Sequence, residues 1–155
     1  MSGTAVRGTY TIKISVADDT GATASQTYTL TVNPALSISI SNCKTAWTAG
    51  FAYSCTPSAT GGTTPLTWSM TGNSGSGLTI NSSTGAISGT PVAGSYNITV
   101  TATDSVGAID SKSFSLSTNS PLTLALPAAT CKTVWTEGSS YTCTPTRTGG
   151  TAPFT

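Results

Sequence analysis

The chain has 155 residues, 37% of them hydrophobic and only 7% charged, with a net charge of +1 and no histidine. Its 33 threonines and 23 serines outnumber Leu, Glu, Lys and Arg heavily, which argues against a helical protein and for strands joined by Gly, Ser, Asn and Pro turns. Near neutrality excludes the basic footprint of a nucleic-acid binder, and missing histidine removes the usual general base and the commonest metal ligand. No apolar run approaches the roughly 20 residues a membrane helix needs.

Internal repetition organises the chain. Residues 43–67 and 131–155 are identical at 16 of 25 positions with an offset of 88. Residues 8–33 and 94–119 match at 9 of 26 with an offset of 86 and keep the pattern of apolar positions. The difference of two implies a small insertion between Leu126 and Cys131. Residues 1–33 then read as the tail of one repeat, 34–119 as a complete repeat, and 120–155 as the head of a third. Met1 falls on the position of Ile87, with Ser2-Gly3-Thr4 where the complete copy has Ser88-Gly89-Thr90. That phase leads us to expect a segment of a longer array, or a subunit whose ends are completed by neighbours.

The predicted elements run in the same rhythm. Tyr10, Ile12, Ile14 and Val16 alternate as one strand face, a turn follows at Asp19-Thr20-Gly21, and a second strand carries Tyr28, Leu30 and Val32. Leu36, Ile38 and Ile40 open the complete repeat. Phe51, Tyr53 and Cys55 suggest its second strand, and Leu66, Trp68 and Met70 a third. Short strands follow around Leu78-Ile80 and Ala86-Ser88. Tyr96, Ile98, Val100 and Ala102 then face inward with Asn97, Thr99, Thr101 and Thr103 outward, turn at Ser105-Val106-Gly107, and return through Phe114 and Leu116. Period-two alternation of this kind is that of half-buried antiparallel strands, and the tight turns make hairpins. Leu122, Leu124 and Leu126 start the pattern again. Six or seven short strands in one repeat indicate an all-β, two-sheet sandwich.

So small a module buries a modest core. Cys43 with Cys55, and Cys131 with Cys143, share one C-x11-C spacing, which we read as a disulfide within each repeat; the alternative is two buried thiols per repeat. Closing a loop of that size contributes about 3 kcal/mol and places the chain outside a reducing cytosol.

Residues 77–91, GLTINSSTGAISGTP, followed by Gly94, Tyr96, Val100, Ala102, Asp104 and Gly107, resemble the immunoglobulin-like and cadherin-like repeats of large bacterial and archaeal surface proteins. The resemblance implies tandem immunoglobulin-like β-sandwich repeats (here one complete and two partial) that serve as spacer, adhesive or interaction modules. The cysteine pair and the Trp-Thr-x-Gly-x-x-Tyr segment depart from that pattern. In the motif, Gly85 and Gly89 supply backbone angles that tight turns require, and Pro91 marks a strand end.

Candidate sites are few. Asp18, Asp19 and Asp104 sit near strand ends, where cadherin-like modules bind calcium, but calcium takes six to eight oxygens and each turn offers one or two carboxylates; capping of the turn by Asp is the simpler reading. Trp47 and Trp135, with Tyr53 and Tyr141 nearby, are candidates for a sugar-stacking platform, or else cover the disulfide as tryptophan does in immunoglobulin sandwiches. Trp68 reads as core. Asn81 and Asn97 head glycosylation acceptor patterns. No nucleophile–base pair is visible, so we expect neither enzymatic activity nor a cofactor.

These observations lead us to expect an extracellular or cell-surface structural protein, a fibre, filament or stalk, with an adhesin or carbohydrate-binding module as the alternative. Its expected partners are copies of the same chain or adjacent repeats, joined head to tail so that 120–155 of one meets 1–33 of the next, or a glycan on a cell surface. Together those halves lack a counterpart of 68–87.

Overall fold

A computed structural model describes residues 4–154; the expected match of Met1, Ser2 and Gly3 to the 87–89 stretch lies outside the described residues. Thirteen strands and no helix occur among them: β1 (Gly8–Ala17), β2 (Thr23–Val32), β3 (Ser37–Ser39), β4 (Ala46–Thr48), β5 (Tyr53–Cys55), β6 (Ser58–Thr60), β7 (Thr67–Thr71), β8 (Leu78–Ile80), β9 (Ile87–Gly89), β10 (Gly94–Thr103), β11 (Ile109–Asn119), β12 (Thr123–Ala125) and β13 (Thr146–Thr148).

Residues 34–119 hold three sheets, ordered β4-β11-β10-β7, β5-β9-β8 and β3-β6. They share one core. The first sheet contributes Trp68, Ile98, Val100, Ala102 and Leu116, the second Tyr53, Cys55, Leu78 and Ile87, and Ile38 comes from β3. Ile87, Ile98, Val100, Ala102 and Leu116 are wholly inaccessible to solvent. Alternation along β10 and β11 makes this arrangement: every second side chain goes in, and the residues between point out. On the outer face the hydroxyls pair across the ladder, Thr99 with Ser113 at 2.8 Å and Thr101 with Ser111 at 2.9 Å, while Ser115 donates to the Asn97 side chain at 2.7 Å. One ion pair, Lys112–Asp110, occurs among the described residues.

Three short strands of the complete repeat differ from the sequence expectation. Phe51 is 62% exposed and stands outside the strand Tyr53–Cys55, while an unexpected short strand, β4, precedes it and pairs in parallel with β11, Ala46 opposite Ser117 and Thr48 opposite Asn119. β6 is likewise unexpected; its Ser58, Ala59 and Thr60 pair antiparallel with β3. Neither segment alternates in hydrophobicity, so neither carries a strand signature.

The motif that suggested the family builds the turn between β8 and β9. Asn81 accepts the amides of Ser83 and Thr84 at 3.0 Å each. Gly85 has φ of 74° and lies against the Trp68 indole, where an added Cβ would come within 2.7 Å of Cδ2. Only glycine satisfies both demands.

The flanking segments copy the complete repeat locally. β1 and β2 form a hairpin in the same register as β10 and β11, Tyr10 opposite Leu30 as Tyr96 is opposite Leu116. The Tyr10 hydroxyl donates to the Val6 carbonyl at 2.9 Å, as Tyr96 does to Val92 at 3.3 Å. β12 pairs with β13 as β3 pairs with β6.

Candidate functional site

Both expected disulfides form, Cys43–Cys55 and Cys131–Cys143, and no cysteine is free among the described residues. Beside each sits the same aromatic pair. The Trp47 ring meets Tyr53 edge-on at 5.4 Å, Trp135 meets Tyr141 at 5.3 Å, and Lys44 and Lys132 lie over the respective indoles at 5.0 and 5.7 Å. Each indole N–H donates to a backbone carbonyl 3.1 Å away, of Phe51 or of Ser139. Each tyrosine donates to the carbonyl of the lysine after the first cysteine, Tyr53 to Lys44 at 3.0 Å and Tyr141 to Lys132 at 3.1 Å. Burial pushes the Tyr53 phenol above its ordinary pKa. Trp47 packs half-buried against the core, whereas Trp135 remains 45% exposed. Trp68 lies in the core, as expected.

Asp104 and Asp18 cap turns, whereas no side-chain hydrogen bond places Asp19 in that role among the described residues. Asp104 accepts the amides of Val106 at 3.0 Å, Ala108 at 2.8 Å and, through its second oxygen, Thr63 at 2.9 Å. Burial raises its pKa, but the four backbone hydrogen bonds from Thr63, Ala108, Val106 and Gly107 outweigh that and hold the carboxyl below its ordinary value. Asp18 repeats the turn, accepting from the Thr20 hydroxyl at 2.8 Å and the Ala22 amide at 2.8 Å, and these two bonds lower its pKa. A carboxylate depressed in the folded state stabilises above its unfolded pKa, and that contribution is lost as pH falls through the folded one. Asp110, which pairs with Lys112, also accepts the Ile38 amide at 2.8 Å across 72 residues of chain, so it fastens β3 to β11. Asp18 and Asp104 occupy equivalent places in different repeats, and no group of three or more His, Cys, Asp or Glu residues with metal-binding geometry occurs among the described residues. Asn81 and Asn97 are both exposed.

The most constructed polar site lies at the Asn33 and Asn119 strand ends, and it is built twice. Asn33, after the last residue of β2, donates from Nδ2 to the Thr63 hydroxyl at 3.1 Å; Asn119, at the end of β11, donates to the Thr151 hydroxyl at 3.2 Å. Beside each, the loop amide bonds back to the linker, Gly62 to the Pro34 carbonyl at 2.8 Å and Gly150 to the Ser120 carbonyl at 2.6 Å. Gly61 and Gly149, with φ of 67° and 71°, let the loop press on the linker carbonyls of Ala35 and Pro121, where a Cβ would collide. At the second joint the Thr151 hydroxyl also donates to the Trp47 carbonyl at 3.1 Å and lies 3.0 Å from the Thr48 hydroxyl. Each joint thus ties a strand end and its linker to the loop that follows β6 or β13, and the second joint adds β4. The site was missed in the sequence, although the identity of Asn33 with Asn119 and of Thr63 with Thr151 was visible there.

A cavity of about 540 Å³ beside this joint is lined by Phe51, Leu122, Leu124, Arg147 and Phe154 among others. Among its lining residues, Leu122 and Leu124 stand at the positions of Leu36 and Ile38, which are core in residues 34–119. No helix among the described residues is long and apolar enough to cross a membrane.

A search of curated proteins finds no match to the chain. The profile of the family described as "Putative Ig domain" matches residues 36–119, the span that holds the complete core and its motif turn. That match covers more than half of the sequence, and the chain belongs to the Putative Ig domain family.

Proposed function

We propose that the chain serves as an extracellular structural element, in which immunoglobulin-like sandwiches follow one another in tandem as rigid beads of a surface fibre or stalk. The observation that carries this reading is the joint built twice from residues one repeat apart, Asn33 with Thr63 and Asn119 with Thr151. A flexible linker has no need of hydroxyl and glycine contacts at the same places in successive copies. The Asn33-Pro34 and Asn119-Ser120-Pro121 links are short, and proline restricts their backbone. Two disulfides support an oxidising compartment. Shape is the working property.

Residual dipolar couplings measured on the whole chain test the joint. Amides of 147–151 are expected to share the alignment tensor of 34–119, and the double variant Asn119→Ala, Thr151→Val is expected to uncouple them without unfolding the complete repeat. Independent tensors in the unaltered protein would refute the rigid-bead reading.

A further inference from the structure

Between its two sulfurs the cysteine loop 43–55 carries β4, and β4 makes the one parallel strand pairing among the described residues, with the end of β11. Ala46 stands opposite Ser117 and Thr48 opposite Asn119. The Ser117 amide also donates to the Thr45 carbonyl and the Ala49 amide to the Asn119 carbonyl, 2.8 Å each. Resting on the tandem-bead reading, in which tension enters a bead by one linker and leaves by the other, we propose that this loop is a load-bearing clasp. β4 holds β11 against pulling along the array, and the disulfide passes part of that load to the second sheet.

Chain direction decides how the bonds share a load. Tension entering at Pro34 draws β3, Cys43 and then β4 toward the start of the chain, while tension leaving at Asn119 draws β11 toward its end. Two parallel strands drawn from opposite ends slide past each other, so every bond between them is loaded at once. An antiparallel pair drawn from neighbouring ends opens one bond at a time. β3 joins the same path, because the Ile38 amide donates to Asp110 at 2.8 Å. Ile38 and the residues around β4 therefore grip β11 near its first and last residues.

The disulfide lies where this path forks. Cys43 sits between β3 and β4, and Cys55 ends β5, opposite Ile87 of β9. Load reaching Cys43 divides between β4 in the first sheet and, through sulfur, β5 in the second. The loop is braced between these points: Tyr53 donates to the Lys44 carbonyl, the Trp47 indole to the Phe51 carbonyl, and the two rings meet edge-on. Both cysteines are buried, which shields the bond from thiols in solvent. The same braces recur in 131–143, from Tyr141 to Lys132 and from Trp135 to Ser139. The last rung of the ladder, Thr48 opposite Asn119, is also where the Thr151 hydroxyl attaches, so load handed on by that loop falls on both strands of the clasp.

Forced unfolding follows the unfolding barrier rather than equilibrium stability, so force and denaturant rank variants differently when a clasp exists. The whole chain, held at constant force by tags at its two ends, is expected to show the rupture of residues 34–119 as its longest extension step. Ala49→Pro removes one donor of the clasp and Asp110→Ala the tie to β3. Each is expected to shorten the loaded lifetime about tenfold, the kinetic equivalent of one lost backbone bond. Asp110→Ala leaves β4 untouched and gives the same reading should Ala49→Pro fail to fold. Leu78→Ala truncates a core side chain of β8, the edge strand of the second sheet and outside the path. It is expected to lower the urea midpoint more than Asp110→Ala does, yet to shorten the loaded lifetime less than about threefold, since β8 is still packed when the clasp breaks.

The Cys43→Ala, Cys55→Ala variant tests the fork. Its rupture step is expected to be longer by roughly 35 Å, because a separation of 12 residues, now closed to 5.1 Å between Cα atoms, is freed to extend. Its loaded lifetime is expected to fall by about tenfold or more. The same ranking of variants under force as in urea overturns the proposal, and a longer step with an unchanged lifetime overturns the disulfide's share in it. The alignment test of the joint is made without load, so a rigid joint without a clasp and a clasp between loose joints give different results.

Discussion

Leu116 and Leu30 occupy the same place on the same kind of hairpin, yet one is wholly buried and the other 40% exposed. The turn before them is the same, the strand register is the same, and the tyrosine that bonds four residues upstream is the same. Local sequence therefore fixes the hairpin, and burial is conferred by what lies across from it. In residues 34–119 the covering strands are present; in the flanking segments the described residues leave the inner face open. The comparison separates two sources of stability that are usually mixed: backbone pairing, which both regions have, and the apolar interior, which one has.

The sharpest way to break the comparison is to truncate the paired leucines. Leu116→Ala is expected to destabilise the complete repeat by about 3–4 kcal/mol, the cost of a buried leucine plus its cavity. Leu30→Ala is expected to change the same unfolding transition by less than about 0.5 kcal/mol, as a surface substitution does. Urea denaturation followed by Trp68 fluorescence distinguishes them, and similar losses would show that the hairpin is part of the cooperative core.

The disulfides offer the next largest contrast. Replacing Cys43 and Cys55 by alanine is expected to cost the complete repeat about 3 kcal/mol, because a loop of this size is freed in the unfolded chain. Replacing Cys131 and Cys143 is expected to leave that transition where it was. Calorimetry of the two double variants decides this: equal shifts in Tm would mean that the head segment unfolds with the complete repeat.

The smallest effect sharpens the comparison at a single atom. Thr118 is 4% exposed, and its hydroxyl is the buried side-chain oxygen without a hydrogen-bond partner among the described residues. The equivalent residue in the first hairpin is Val32. Thr118→Val substitutes that apolar near-isostere and is expected to stabilise by up to about 1 kcal/mol, since an unpaired buried hydroxyl is a net cost. A loss of stability in urea denaturation would imply a partner for the hydroxyl.

Much of the fold was legible where a segment is long enough to alternate. β1, β2, β10 and β11 each run ten residues or more, so period two stands out. The cysteine pairs were legible because equal spacing in two copies is hard to explain otherwise, and Asp18 and Asp104 because Asp before a Gly turn is a local signal. β4 and β6 were not: three residues each, too short for an alternation to show, and held by backbone bonds to distant partners. Placing Phe51 in a strand failed for the related reason that an aromatic in alternation with Tyr53 looks inward, while the chain there is still finishing a turn. The Asp110 bond to Ile38 spans 72 residues, beyond the reach of any local pattern. The joint was hidden differently, since its residues were matched between copies but nothing in one copy says that an asparagine at a strand end will meet a threonine in the following loop.

The hydroxyl pairs on the outer face of β10 and β11 have a consequence for the surroundings this surface tolerates. Thr99, Thr101, Ser111 and Ser113 satisfy one another rather than an ion, and charged side chains make up only 7% of the chain. Screening by dissolved salt acts on charges and leaves neutral hydrogen bonds nearly untouched. This face would therefore keep the same hydrogen bonds in brine and in fresh water.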